Sequence, residues 1–211
     1  MDAYEQFNEE LKKAADAFKK IDKKEVIRVI SHLDADGISA CAIMIKLLNN
    51  DNRRYSVSIV QQLNKAVLSQ LASEPYNCFI FTDIGSGVIS HTKDLLKDKK
   101  VFILDHHSIE KVDNFGSIVF INPHTCGIDG GKEISGAGVV FKFACTVDKS
   151  VEELAHIAIV GAIGDLQEQN GFLRLNEEIL NIAIAKNKIN VAKGLRIFGA
   201  QTKPLHKALE Y

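Results

Sequence analysis

The sequence has no cysteine pair at CxxC spacing, almost no net charge and no long apolar run. Its four cysteines, Cys41, Cys78, Cys126 and Cys145, are scattered and lie in or beside apolar stretches. That is the pattern of reduced core thiols, and it argues against a disulfide framework or a zinc finger. The formal net charge is −1, with 26 Lys and Arg against 27 Asp and Glu. No bulk attraction to nucleic acid or to a membrane surface follows, so any such contact has to come from a local patch. No stretch approaches the roughly 18 consecutive apolar residues that read as a membrane span. The amphipathic, mixed-charge N-terminus also lacks the basic-then-apolar order of a signal peptide. No internal repeat or low-complexity segment is visible. The expectation is a cytoplasmic protein with no membrane partner.

What is present suits a folded domain. The 211 residues are 46% hydrophobic and 25% charged, enough apolar material for one sizeable core. From Tyr4 to Lys20 the apolar residues Tyr4, Phe7, Leu11, Ala14, Ala15 and Phe18 recur every three or four positions, which predicts an amphipathic helix packed across the domain edge. Five β-branched or aromatic runs follow: EVIRVI, YSVSIV, NCFIFT, KVFILD and SIVFIN. Between the first four lie the helix-like stretches ISACAIMIKLLNN, NKAVLSQLA and GVISHTKDLLKD. This alternation predicts an α/β fold, a mainly parallel five-stranded sheet with helices on both faces. After Pro123 the glycine-rich CGIDGGKEISGAG leads into a mostly helical C-terminal third, with helices expected in EISGAGVVFKFACTV, SVEELAHIAIVGAIGDL and NEEILNIAIAKNK.

In an open parallel sheet, ligands bind outside the carboxyl ends of the strands, so the first polar residues after each run are the informative ones. After EVIRVI these are His32, Asp34 and Asp36; after NCFIFT, Asp83; after KVFIL, Asp105, His106 and His107. Asp165 follows AIVGAIG, where Gly161 and Gly164 let another group approach closely. Singly, each has an ordinary reading: LDADG as a loop whose Asp caps the next helix, Asp83 as a turn residue, the histidines as surface or core residues. Together they bring five carboxylates and three imidazoles to one sheet edge, and that much like charge needs cations. Carboxylate and imidazole without thiolate suit Mn²⁺ or a similar divalent ion, and the ligands are too many for one open site. Two ions about 3.5–4 Å apart stabilise both the attacking and the leaving oxygen of an in-line displacement at phosphorus. The residues alone therefore suggest phosphoester hydrolysis.

HLDADG at 32–37, FTDIGSG at 81–87, LDHHSIE at 104–110 and GAIGD at 161–165 resemble the four ordered motifs of the DHH phosphoesterase superfamily. ISGAGVVFK and the terminal QTKPLHKALEY narrow the resemblance to the archaeal RecJ-like exonucleases of the GINS-associated nuclease type. The resemblance implies that His32, Asp34 and Asp83 hold one Mn²⁺ and that Asp36, Asp83, His106 and Asp165 hold a second, with Mg²⁺ as the alternative ion and Asp83 as the bridge. It implies catalytic roles for Asp83, Asp105 and His107, with Asp105 orienting a histidine and His107 facing the scissile phosphate. It also implies that residues 1–211 form a single DHH catalytic domain, whose usual DHHA1 substrate-binding domain is absent from this chain. Weak substrate affinity is expected in consequence, since GIDGG at 127–131 lacks the basic and histidine neighbours of a substitute.

Ser135 and Gly136 open a helix whose amides suit a phosphate, although a cap and close packing explain them equally well. From Lys186 onward, Lys186, Lys188, Lys193, Arg196, Lys203 and Lys207 face the single acid Glu210, a patch that either tracks a nucleic-acid backbone or is a solvated face. His91, His156 and His206 take no role, and His124 is the one histidine outside the motifs expected near the site. The leading expectation is a Mn²⁺-dependent exonuclease specific for single-stranded DNA or RNA, working in replication or repair. The alternatives are a small-molecule phosphoesterase for pyrophosphate, short oligonucleotides or cyclic dinucleotides, and a non-catalytic Cdc45-like scaffold that binds a GINS-like replication protein.

Overall fold

The computed structural model describes residues 1–168, 171–192 and 204–208. Lys193, Arg196, Lys203 and Glu210 of the basic stretch, and most of QTKPLHKALEY, lie outside the described residues. The chain begins with helix α1, Ala3–Lys19. A reciprocal capping box starts it: Asp2 accepts from the Glu5 amide at 2.7 Å, and Glu5 accepts from the Asp2 amide at 3.1 Å. Strands and helices then alternate as β1 Ile27–His32, α2 Ala35–Asn50, β2 Tyr55–Val60, α3 Lys65–Ser73, β3 Cys78–Thr82, α4 Ile89–Leu95, β4 Lys100–Leu104 and β5 Val119–Ile121. Helices α5 Gly136–Val147, α6 Ala155–Gly164, α7 Arg174–Ala185 and the short α8 Leu205–Ala208 follow.

The five strands form one sheet in the order β2-β1-β3-β4-β5, and every pair is parallel. Alternate residues of the central strands feed two cores, because side chains on a strand point to opposite faces. Val29, Ile80, Phe102 and Leu104 join α1, α2, α5 and α6 on one face. Ile30, Phe79, Phe81 and Ile103 meet Leu68 and Leu71 of α3 and Ile89 of α4 on the other. Helix α1 covers the β5 end of the first face, where Phe18 meets Phe143 edge-on at 5.8 Å between ring centroids. Arg53 ties down the C-terminal end of α1, donating to the carbonyls of Phe18 at 3.3 Å and Ile21 at 3.0 Å.

Two helices fall furthest short of the stretches that predict them. The first five residues of SVEELAHIAIVGAIGDL belong to a 3-10 turn, Lys149–Leu154, capped by Asp148 accepting from the Ser150 amide at 2.9 Å. In GVISHTKDLLKD the helix covers Ile89–Leu95, because the preceding loop is held by long-range bonds instead: the Ser86 amide donates to Asp105 at 2.8 Å. All four cysteines are free, and burial pushes the thiols of Cys78 and Cys145 up to about 12, as inert core thiols require. Among the described residues no helix is long and apolar enough to cross a membrane.

Candidate metal centre

The strand order reverses between β1 and β3, so their C-terminal ends frame a crevice at the switch point. Into it come His32 at the end of β1, Asp83 immediately after β3, and Asp105, His106 and His107 after β4. Asp34 is the N-cap of α2, and its two oxygens do different work. Oδ1 accepts from the Gly37 amide at 2.8 Å, while Oδ2 lies 2.8 Å from His32 Nδ1. The ordinary reading of LDADG as a capped turn is thus true of one oxygen and leaves the other facing His32.

Asp36 lies in the first turn of α2 and is 1% exposed. It accepts from the amides of Gly136 at 2.6 Å and Ala137 at 2.9 Å, at the positive end of α5. The amides at the start of α5 are therefore engaged within the chain, and Ser135, fully buried, caps α5 by accepting from the Gly138 amide at 3.2 Å. This close approach needs glycine: a Cβ at Gly136 would sit 2.2 Å from Asp83 Oδ1, and one at Gly161 2.3 Å from Asp36 Oδ1.

Asp83 takes a left-handed backbone conformation, φ +57°, which turns its side chain into the crevice while its amide extends the ladder to the Leu104 carbonyl at 2.8 Å. His106 Nδ1 is 2.7 Å from the Gly130 carbonyl. A carbonyl only accepts, so Nδ1 carries the proton and Nε2 faces the carboxylates. Nε2 lies 3.3 Å from Asp83 Oδ1 and 3.7 Å from both Asp36 Oδ2 and Asp165 Oδ2. His107 is about half exposed, and its Nδ1 is 2.7 Å from Asp105 Oδ1.

Several supporting residues were not expected from the sequence. Gln167 donates its side-chain amide to Asp165 Oδ2 at 2.8 Å and to the Gly130 carbonyl at 2.9 Å, and accepts from Asn176 at 2.7 Å. One amide thus braces both Asp165 and the carbonyl that orients His106. Asn122 donates to Ser86 Oγ and to the His107 carbonyl, each at 2.9 Å, and so ties the β5 end to the Asp105–His107 pair. GIDGG was a visible signal for Gly130; Gln167 and Asn122 act through loop geometry that no spacing encodes. Of the histidines outside the motifs, His124 packs beside Gly130, whose added Cβ would lie 2.9 Å from its Nε2. Lys186 pairs with Glu153 at 2.9 Å, and Lys188 with the same carboxylate group at 3.6 Å.

The electrostatics are those of a crowded anionic site. Burial, with Asp36 beside it, pushes the Asp83 carboxyl up to about 8, against the pull of His106. Burial also raises Asp36, and it pulls His106 down, but the Asp83 and Asp36 carboxylates overcome that and lift His106 to about 10. Asp105 behaves oppositely: burial disfavours its charge, yet His107, His106 and the Ser86 amide hold it well below the usual carboxylate range. His107 is raised, mainly by Asp105.

Three polar atoms here are buried without a hydrogen-bond partner: both oxygens of Asp83, and His106 Nε2, which faces Asp83 Oδ1 at 3.3 Å. They converge on common points, as donors to a cation do, since burying such atoms unpaired is costly. Three groups could each hold an ion, their ligand atoms all within 4.8 Å of one another: His32, Asp34 and Asp83; Asp36, His106 and Asp165; and Asp83, His106 and His107. Oxygen and imidazole donors without thiolate fit a hard or borderline divalent ion.

Residues 26–164 match the family model described as "DHH family, N-terminal domain". The chain is 35% identical over 191 residues to the uncharacterized protein MJ0831 of Methanocaldococcus jannaschii, spanning 88% of this chain and 43% of that one. It is 27% identical over 167 residues to the single-stranded-DNA-specific exonuclease RecJ of Bacillus subtilis, spanning 74% of this chain and 21% of RecJ. A crystal structure of exonuclease RecJ bound to manganese superposes with a TM-score of 0.69 at 23% identity, covering 83% of this chain and 47% of that one. The chain thus spans less than half the length of the curated relatives it matches. With four motifs meeting at one crevice and the family model covering the whole sheet from β1 to β5, the chain belongs to the DHH family and carries its N-terminal domain.

Proposed function

We propose that residues 1–211 form a DHH catalytic domain that hydrolyses phosphodiester bonds of single-stranded nucleic acid with two Mn²⁺ ions. One observation carries this reading: Asp83 is 1% exposed, both its oxygens lack hydrogen-bond partners, and it stands between the two ligand clusters. His32, Asp34 and Asp83 would hold one ion and Asp36, Asp83, His106 and Asp165 the other, with Asp83 shared. Bound there, the ions supply positive charge and Lewis acidity for in-line displacement at phosphorus. The similarity to a single-stranded-DNA-specific exonuclease supports the choice of substrate, and a manganese-bound structure of the same fold supports the choice of ion.

The chain's own residues then have distinct tasks. Asp105, kept ionised, accepts from Nδ1 of His107 and stabilises its imidazolium. That leaves the opposite ring nitrogen of this half-exposed histidine as a donor to a phosphate oxygen, where negative charge builds up in the transition state. Gly130 and Gln167 fix the direction of His106 and Asp165. The test is Mn²⁺-dependent release of nucleotides from an end-labelled single strand. Wild type releases product and Asp83→Ala loses at least a hundredfold in rate. Equal rates in the two proteins would contradict the assignment.

A further inference from the structure

We propose that the trough running from the metal centre past the C-terminal end of β2 is a nucleobase site, in which Gln61 and Gln62 present their side-chain amides to a base adjoining the scissile phosphate. This rests on the phosphodiesterase reading and deepens it by naming the residues that would receive a base. Two neighbouring cavities form the trough. One of about 420 Å³ reaches from His32, Asp83 and His107 over Leu63, Ile84 and Val88. The next, about 730 Å³, continues along Val60, Asn64 and Val67, and Gln61 and Gln62 line both. Sites of this size, with apolar walls and a few polar groups, are what small organic ligands occupy.

The chemistry of the walls selects the ligand. Neither cavity is lined by a lysine or an arginine, and the charged residues of the first are the carboxylates and imidazoles of the centre itself. Away from His107 and the metal centre, a second phosphate beside the scissile one, as in pyrophosphate or polyphosphate, would meet no lysine or arginine to offset its charge. An uncharged flat ring meets no such cost. It can lie on the half-buried Ile84 and Val88, and its edge finds in each glutamine one acceptor and two donors, the set that pairs with a base edge. Both glutamines are exposed, and neither side-chain amide is bonded to another described residue. Their donors and acceptors are available to a ligand.

The experiment compares, with Mn²⁺, a single-stranded oligonucleotide, the same strand with an abasic tetrahydrofuran unit at one terminus or the other, and tripolyphosphate. For wild type, removing the base at the terminus being digested lowers kcat/KM about tenfold, the scale of losing one stacked base. In a Gln61→Ala/Gln62→Ala variant the ratio between the two strands falls to about twofold or less. Equal cleavage of both strands by wild type, or a higher kcat/KM on tripolyphosphate, overturns the proposal while leaving phosphoester hydrolysis intact. If no substrate is hydrolysed, the phosphodiesterase reading fails, and binding decides the site separately. With Mg²⁺ present, adenosine monophosphate (the 3′ or the 5′ isomer) should shift the side-chain amide NMR signals of Gln61 and Gln62, and inorganic phosphate should not. Unmoved signals overturn the proposal.

Discussion

Asp34, Asp36 and Asp83 show how differently three carboxylates can be held within one crevice. Asp34 divides its oxygens between a helix cap and His32, Asp36 is satisfied by two amides of α5, and Asp83 faces His106 at 3.3 Å and His32 at 3.6 Å with no hydrogen-bond donor aligned on either oxygen. The consequence for titration has a definite sign. Asp83 and His106 both have folded-state values above their ordinary ones, about 8 and about 10. The folded protein therefore holds protons that the unfolded chain has released. The stability these groups contribute is complete below their unfolded values, near pH 4 and 6.5, and is lost as pH rises through about 8 and 10. In chelator, the Tm should fall between pH 6.5 and 8.5, and a flat or rising Tm would contradict this. Metal binding must displace the same protons, so Mn²⁺ affinity should rise over that range with measurable proton release. Gln167 offers a second test at this scale. Gln167→Leu removes the brace on Asp165 and on the Gly130 carbonyl, and should weaken Mn²⁺ binding by calorimetry about 10–100-fold with the fold intact. At the level of residues, the motif positions were legible because His32, Asp34, Asp36, Asp83, His106 and Asp165 are charged groups at the ends of apolar runs. Gln167, Asn122 and Asn176 were not, because a neutral amide in a loop looks the same whether or not it braces a ligand.

Helix α5 is the element on which the centre leans most. Its first amides hold Asp36, its Gly136 makes room for Asp83, and its buried face packs against α2 and α6. Gly136→Ala should therefore act on the centre as much as on the fold. The added methyl would have to displace the Asp83 side chain, costing about 1–3 kcal/mol in denaturant unfolding and reducing the Mn²⁺-dependent gain in Tm more than a core substitution of equal cost elsewhere. An equal loss at both sites would mean that α5 only packs. At this scale the sequence was informative about existence and less so about extent. The alternation of β-branched runs with helical periodicity gave all five strands, since buried parallel strands read as continuous apolar segments. It did not give the 3-10 turn at 149–154 or the late start of α4 at Ile89, both set by side-chain caps and long-range bonds. Gly37 lies in the first turn of α2, where a Cβ would sit 2.4 Å from the His32 carbonyl oxygen, so only glycine allows the chain to pass this close to the end of β1.

For the whole molecule, the order β2-β1-β3-β4-β5 is what turns four distant motifs into one centre. Placing β1 beside β3 brings HLDADG next to FTDIGSG, β4 adds LDHHSIE, and α6 delivers Asp165 from across the first core. Strand order is a non-local property, so alternation predicts a parallel sheet but not which strands neighbour one another, whereas the four motifs, each at the carboxyl end of an apolar run, point to a common edge. The central claim, two divalent ions sharing Asp83, is tested most directly by equilibrium Mn²⁺ binding to wild type and Asp83→Ala, read together with Tm. The account predicts two Mn²⁺ per wild-type chain, a gain of about 2.7 kcal/mol in stability for each bound ion at a free concentration 100 times its Kd, and loss of both effects in the variant. Wild-type protein that binds no Mn²⁺ and gains no stability from it would contradict the account.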